Sequence, residues 1–192
     1  MKLFANDLIP DKAFFNFLET RKDFLDWVSI CWGEPTLQPD LYDFAKRVKD
    51  MGYLVKLDTN GRDWKIVKKL IDDGILDYAA IDLKHALHSY EKAVGLAQDD
   101  EFYHSYHKIL QLLLEGNIDY EYRTTVIKGM HTADDIESMA HYIRWAKNYY
   151  LQNYIGWNTL DPDFWWEPFG DEELEQFQKI ASKYVDHVGI RN

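Results

Sequence analysis

Short apolar runs alternate with amphipathic segments along this chain, and this alternation constrains the fold more than any other feature. Apolar residues three and four positions apart indicate helices, and short β-rich runs indicate strands. Strands separated by helices require right-handed parallel crossovers, which give either an open, doubly wound sheet or an incomplete barrel. The glycine fingerprint of dinucleotide-binding folds is absent from the sequence.

The alternation predicts a series of elements without a domain boundary, so we expect residues 1–192 to form one domain. Glycines at the ends of predicted helices, such as Gly52 and Gly74, mark their stops, and Asp63 and Thr132 mark helix starts. Predicted strands cover residues 27–31, 53–57, 78–83, 120–127, 149–154 and 187–190. Predicted helices lie around residues 14–18, 39–51, 63–73, 102–115, 132–143 and 171–184.

Composition narrows the class of protein. The formal net charge of -11 argues against a phosphate-binding surface, so we do not expect a nucleic-acid partner. Cys31 is the only cysteine, which excludes an internal disulfide framework and favours a reducing compartment. No apolar run reaches membrane-spanning length, and the opening residues are charged too early for a signal peptide. We therefore expect a soluble, cytoplasmic protein that does not bind membranes.

Polar clusters close three successive predicted strands. They are Trp32-Gly33-Glu34-Pro35-Thr36, Leu57-Asp58-Thr59-Asn60-Gly61 and Asp82-Leu83-Lys84. Because the carboxyl ends of parallel strands meet at one edge of a sheet, these groups are predicted to share a site. Each cluster taken alone is better explained as a strand end that caps the next helix, and only the three together favour a ligand site.

The residue types in these clusters predict a zwitterionic ligand. Gly33 allows close backbone approach, Glu34 suits an ammonium group, and Lys84 suits a carboxylate. Asp58 with Asp82 suits a hydroxyl or a small cation.

Other candidates carry weaker signals. We interpret Cys31 as a buried apolar residue, although a strand-end thiol next to a site can be reactive. His131 is either a proton donor or a structural loop residue, and Arg123 is either a ligand contact or a partner for Glu121 or Asp82. Two histidine pairs, at residues 85 and 88 and at residues 104 and 107, are predicted to be solvated. The aromatic run at residues 164–166 with Phe169 is either a docking patch or a packed lid.

Motifs along nearly the whole chain resemble those of a known family. They are Gly33-Glu34-Pro35-Thr36-Leu37-Gln38-Pro39, Lys56-Leu57-Asp58-Thr59-Asn60-Gly61, Asp77-Tyr78 with Asp82-Leu83-Lys84, Tyr122-Arg123-Thr124-Thr125-Val126, and Thr159-Leu160-Asp161-Pro162. In this order they resemble the radical S-adenosylmethionine enzymes that activate anaerobic ribonucleotide reductase and pyruvate formate-lyase.

The resemblance implies an incomplete parallel (β/α) barrel of the radical S-adenosylmethionine type. It implies that S-adenosylmethionine binds with its amino end at the Gly-Glu-Pro segment and its carboxylate side at the other two clusters. A glycyl radical enzyme, such as anaerobic ribonucleotide reductase, is the implied partner. The implied cofactor-binding residues are Gly33, Glu34, Pro35, Asp58, Thr59, Asn60, Asp82, Lys84 and Arg123.

The sequence also departs from the family pattern. The resemblance implies a [4Fe-4S] cluster held by a Cys-x3-Cys-x2-Cys loop, and no such loop occurs in this chain. We therefore expect that the first strand and the cluster loop of the barrel are missing, which leaves an exposed edge through which the chain self-associates. Trp32 replaces the first glycine of the family motif, and Ile155 replaces a basic residue that faces the cofactor.

Two alternatives to an activase remain open. The chain is then either a degenerate, non-catalytic relative that binds a nucleoside ligand or a partner protein, or an unrelated βα-barrel lyase or aldolase. The latter requires Lys84 as a desolvated Schiff-base amine, and the neighbouring aspartates argue against that. No residue is assigned as catalytic, and none as a metal ligand.

Overall fold

The computed structural model describes residues 9–31, 33–91, 95, 99–156 and 166–192. Helices and strands alternate through these residues. The helices are α1 (Asp11–Glu19), α2 (Leu41–Asp50), α3 (Trp64–Asp72), α4 (Asp100–Leu114), α5 (Ala133–Tyr142) and α6 (Asp171–Ala181). The strands are β1 (Trp27–Ile30), β2 (Leu54–Thr59), β3 (Tyr78–Asp82), β4 (Asp119–Val126), β5 (Asn148–Asn153) and β6 (His187–Arg191). Short 3-10 turns cover Pro35–Leu37 and Leu87–Ser89. None of the helices in these ranges is long and apolar enough to cross a membrane.

The six strands form one parallel sheet in the order in which they occur along the chain. A doubly wound sheet reverses its strand order at a switch point, and this sheet does not, so the incomplete barrel is confirmed. Within the described residues β1 and β6 pair on one side only, and the barrel is therefore open. The sheet register aligns Asp58 with Ala80, and Asp82 with Arg123, which brings the carboxyl ends of the strands to one level.

Local sequence signals explain where most elements begin and end. Gly52 and Gly74 adopt φ angles of +93° and +68° just after α2 and α3, a conformation that favours glycine at a helix end. The Asp63 side chain accepts hydrogen bonds from the first turn of α3, and Thr132 forms a capping box at α5. The prediction that Pro39 lies in the first turn of α2 is wrong, because α2 begins at Leu41.

The two faces of the sheet differ in character. The outer face packs against the helices through fully buried residues such as Leu57, Ile81 and Tyr122. The inner face carries the alternate residues, and it is polar because the open barrel leaves it in contact with solvent. Cys31 continues this inner face beyond β1 and is exposed, so the prediction of a buried cysteine is wrong. A strand covered on one side only cannot bury both of its faces.

An ion pair on the inner face connects distant strands. Arg191 on β6 donates two hydrogen bonds to Glu121 on β4, at 2.9 and 2.7 Å, and its guanidinium stacks on Tyr150 at 3.6 Å. The Tyr78 hydroxyl donates a third bond to Glu121 at 2.9 Å. Burial of Glu121 raises its pKa, but the bonds from Arg191 and Tyr78 outweigh burial and lower the pKa overall. The partner of Glu121 is therefore Arg191 and not Arg123.

Replacement of Arg191 is expected to destabilise the fold. Arg191→Met leaves the carboxylate of Glu121, which is 2% exposed, without its cation, at a cost of about 3 kcal/mol in the free energy of unfolding at pH 7. Because the pKa of Glu121 is lowered, this contribution is present above the ordinary pKa of 4.5 and disappears as the pH falls through the lowered value. Urea titrations across pH measure it. The double variant Glu121→Gln/Arg191→Met should lose less stability than Arg191→Met, and an equal or greater loss would contradict this account.

Candidate functional site

A cavity of about 350 Å³ opens at the carboxyl ends of β1 to β4. Its size lies within the range of roughly 300–1,000 Å³ typical of small-molecule sites. The structure brings together every predicted site residue except Pro35, which is buried in the 3-10 turn behind the cavity. The lining residues are Cys31, Gly33, Glu34, Asp58, Thr59, Asn60, Asp82, Lys84 and Arg123.

Glu34 joins the turn after β1 to the end of β2. Its Oε1 accepts hydrogen bonds from the Thr36 amide at 3.1 Å and from the hydroxyls of Thr36 and Thr59, both at 2.6 Å. Its Oε2 accepts one from the Asn60 amide at 2.7 Å. Gly33, with φ of +62°, makes the backbone turn that brings Glu34 into this position. Glu34 therefore holds the rim of the cavity in place, and only its Oε2 retains capacity for a ligand.

Arg123 neutralises the two aspartates of the cavity at once. Its Nη1 lies 2.8 Å from Asp58 Oδ2 and its Nε lies 2.7 Å from Asp82 Oδ1, so one guanidinium connects β2, β3 and β4. Burial lowers the pKa of Arg123, but the two carboxylates outweigh burial and raise it overall. The second oxygen of Asp58 has Lys56 Nζ at 3.1 Å, yet the angle is not that of a hydrogen bond. We treat that contact as an ion pair, because charge attraction needs no linear geometry.

Lys84 is the cation of the cavity that remains most accessible. Its side chain is 46% exposed and its Nζ lies 3.3 Å from Asp82 Oδ2, whereas the Arg123 side chain is 16% exposed. A Schiff-base lysine is desolvated in an apolar pocket or placed beside another cation. Lys84 is open to solvent and its ammonium is paired with Asp82, which also pairs with the nearby Arg123, so the geometry opposes the aldolase alternative and fits a role in binding an anionic group.

Two buried tyrosines, Tyr90 and Tyr106, lie next to the cavity, and no sequence motif predicted their place there. The Tyr106 hydroxyl donates a hydrogen bond to the Asp82 carbonyl at 3.3 Å. Burial raises the pKa of Tyr90, and the negative charges of Asp82 and Glu34 raise it further. Both tyrosines are therefore neutral; Tyr90 packs against the rings of Phe102 and Tyr106, and Tyr106 is the donor.

A second cavity, of about 380 Å³, lies between the beginnings of α3 and α4. Asp63 and Asp99 line it, and their carboxylates accept hydrogen bonds from backbone amides at the starts of those helices. These acidic groups are committed to helix capping. We therefore assign the candidate site to the strand edge, where charges from four different elements converge.

Several predicted features lie away from this cavity or outside the described residues. Ile155, two residues beyond β5, is 60% exposed. Trp32, residues 159–162 and the first two residues of the aromatic run at 164–166 lie outside the described residues, whereas Phe169 is buried and packs against Phe177. His131, by contrast, is 4% exposed and lines a smaller cavity of about 200 Å³ next to Lys84 and Arg123.

Sequence comparison identifies the family. The chain is 35% identical over 171 residues to MJ1227 of Methanocaldococcus jannaschii, a candidate glycyl-radical enzyme activating enzyme, with 88% of this chain and 71% of that protein covered. MJ1632 of the same organism carries the same description and is 30% identical over 188 residues, with 93% and 68% covered. No family model matches the chain. The chain belongs to the glycyl-radical enzyme activating enzymes of the radical S-adenosylmethionine class.

Comparison of structures supports the fold. A domain of the pyruvate-formate lyase-activating enzyme from Bacteroides vulgatus superposes with a TM-score of 0.67 at 21% identity, over 86% of this chain and 98% of that domain. Streptococcus suis SuiB, bound to its precursor peptide SuiA, gives a TM-score of 0.70 at 14% identity over 96% of this chain and 42% of SuiB. At these identities the likeness establishes the open parallel barrel alone.

Replacement of Glu34 by glutamine is expected to weaken the fold without any ligand present. Glutamine keeps only one side-chain oxygen. Its amide nitrogen must therefore face either the Asn60 amide or the threonine donors, and it cannot accept a bond from either of them. Glu34→Gln should thus cost about 1–3 kcal/mol of unfolding free energy. Chemical denaturation measures this loss. The exposed Glu115→Gln at the end of α4 is the matched control and should stay within about 0.5 kcal/mol of the parent. A Glu34→Gln variant as stable as the control would show that Glu34 does not hold the rim.

Proposed function

We propose that this chain forms the S-adenosylmethionine-binding part of an enzyme that activates a glycyl radical enzyme. The observation that carries the proposal is the convergence of Glu34, Asp58, Asp82, Lys84 and Arg123 on one cavity in a member of the activase family. Anaerobic ribonucleotide reductase is one candidate for the enzyme that is activated.

Charge complementarity supports this ligand. Three carboxylates and two cations line the cavity, so the lining itself has one formal negative charge, and Lys56 pairs with Asp58 from outside the lining. S-adenosylmethionine carries a sulfonium, an ammonium and a carboxylate, and thus one net positive charge. A cavity of opposite sign favours its binding over that of a neutral analogue. In this proposal Lys84 binds the carboxylate, and Glu34 Oε2 with the backbone near Gly33 binds the ammonium.

The iron–sulfur cluster of the family does not fit the residues of this chain. A [4Fe-4S] cluster is held by cysteine thiolates, and the 192-residue sequence supplies Cys31 alone. No set of three or more potential ligands is found in the described residues. We therefore derive no reductive step here, and we propose that these residues bind and orient the ligand.

A binding module without catalysis is the second candidate function. The single cysteine favours it, because the sulfonium cannot be cleaved by reduction without a bound reductant. Both candidates require the same cavity and the same ligand class. They differ in whether a cluster is supplied to the assembled protein.

Binding of the ligand is the direct test of the cavity. We expect calorimetry to detect S-adenosylmethionine and, more weakly, S-adenosylhomocysteine, which lacks the sulfonium charge. Lys84→Met removes a charge-assisted contact and should lower the affinity for both by about tenfold to a hundredfold. Lys183→Met, at an exposed site beyond α6, is the control and should bind like the parent. A folded parent that binds neither compound would refute the proposed function.

Among the described residues β1 pairs on one side only, and this supports a second proposal, that two copies of the chain pair through β1. The Asp26 carbonyl accepts a bond from the Leu54 amide, so the backbone groups of Trp27 and Ser29 point away from β2. Exposed Phe24 and Trp27, at 78% and 46%, lie beside this edge. An unpaired apolar edge favours strand addition.

Ser29→Pro tests the edge, since it removes an outward amide and keeps the bonds between β1 and β2. We expect sedimentation analysis to find a dimer for the parent and a folded monomer for Ser29→Pro. Monomers of both, at any concentration up to the millimolar range, would contradict the pairing.

A further inference from the structure

Two histidines connect the loops that follow β3 and β4. His85 Nε2 lies 3.1 Å from the Met130 carbonyl, and His131 Nε2 lies 3.0 Å from the Lys84 carbonyl. The two rings stack with centroids 4.8 Å apart and planes inclined by 22°. Each loop therefore supplies a histidine to the backbone of the other. We name this pair, His85 and His131, the histidine clasp.

The contacts of His131 define its protonation state. A carbonyl oxygen only accepts, so Nε2 of His131 carries a proton. Its Nδ1 accepts a hydrogen bond from the Ile127 amide at 3.1 Å and is therefore unprotonated. Burial lowers the pKa of His131, against smaller opposing effects of its carbonyl partner and of Asp135. Both ring nitrogens are satisfied in the neutral Nε2–H tautomer alone.

The surroundings of the clasp contain other ionisable groups. Asp135 Oδ1, at the start of α5, lies 3.8 Å from His85 Nδ1 and 3.8 Å from His88 Nε2. On the opposite side, Asp82, Lys84 and Arg123 line the cavity that His131 also lines. The prediction that residues 85 and 88 are both solvated is wrong for His85, which is 3% exposed. His85 does lie in a loop, as the sequence predicts, but its packing against His131 buries it.

His131 is one of three side chains that donate hydrogen bonds to the backbone at the end of β3 and just after it. The carbonyls of Asp82, Leu83 and Lys84 accept hydrogen bonds from Tyr106, Thr124 and His131 respectively. The first two donors belong to α4 and β4, which form the body of the fold. His131 acts on Lys84, the residue whose side chain enters the candidate site.

We infer that His131 is a positioning residue, which fixes the backbone of Lys84 so that its ammonium meets the carboxylate of the bound ligand. The inference rests on the proposed function for the identity of the ligand. His85 supports the same geometry by confining the His131 ring from one face.

A pair of ligands separates positioning from general stability. S-adenosylhomocysteine presents the carboxylate to Lys84, whereas 5′-methylthioadenosine has the nucleoside and thioether but no amino-acid group. For His131→Ala we expect the affinity for S-adenosylhomocysteine to fall by about fivefold, the equivalent of one hydrogen bond, with that for methylthioadenosine unchanged. His131→Gln retains a donor near the Nε2 position and should restore most of the affinity.

Equal losses for both ligands in His131→Ala, or no loss for either, would overturn the inference. A parent chain that binds neither ligand would refute the proposed function instead. The hydrogen bonds of the histidine clasp are then tested without a ligand. Nuclear magnetic resonance measures the nitrogen-15 shifts and couplings of the histidine rings, which report the tautomer of His131. The expected signature of His131 is the neutral Nε2–H tautomer, retained from pH 8 to its ordinary pKa of 6.5. An Nδ1–H tautomer, or a protonated ring in that range, would refute the clasp.

Discussion

The guanidinium of Arg123 is the contact on which the candidate site depends. It lies between Asp58 and Asp82, at 2.8 and 2.7 Å, and so holds the ends of three neighbouring strands at one level. Without it, Asp58 and Asp82 would keep only their longer contacts with Lys56 and Lys84, at 3.1 and 3.3 Å, and the repulsion between the two carboxylates would be less well offset. Because Arg123 is occupied by the two aspartates, Lys84 is the accessible cation of the site. A zwitterion can therefore bind with its carboxylate at Lys84.

The open barrel explains why polar groups accumulate on one face of a fully parallel sheet. Helices cover the outer face, and the inner face is left to ion pairs such as Glu121 with Arg191. The outer layer supplies the buried apolar area, and the inner layer holds the charged side chains of the candidate site. The site therefore lies at the end of a polar surface that continues along the strands.

Local signals predicted most of the fold, and distant contacts account for what they missed. Glycines and capping residues predicted where the helices begin and end, and polar clusters at strand ends predicted the position of the cavity. The ion pair of Glu121 with Arg191 joins residues 70 positions apart, and the stacking of His85 on His131 joins two loops. No local pattern encodes such pairs. Cys31 was misjudged because its run of apolar neighbours resembles a strand buried on both faces, whereas this sheet is covered on one.

A crystal structure of the chain with S-adenosylhomocysteine tests the central claim most directly. The account predicts that the ligand lies in the cavity at the ends of β1 to β4, with its carboxylate within hydrogen-bond distance of Lys84 Nζ. In that structure Arg123 still bridges Asp58 and Asp82. A ligand bound elsewhere, or one in this cavity with its carboxylate directed away from Lys84, would contradict the account.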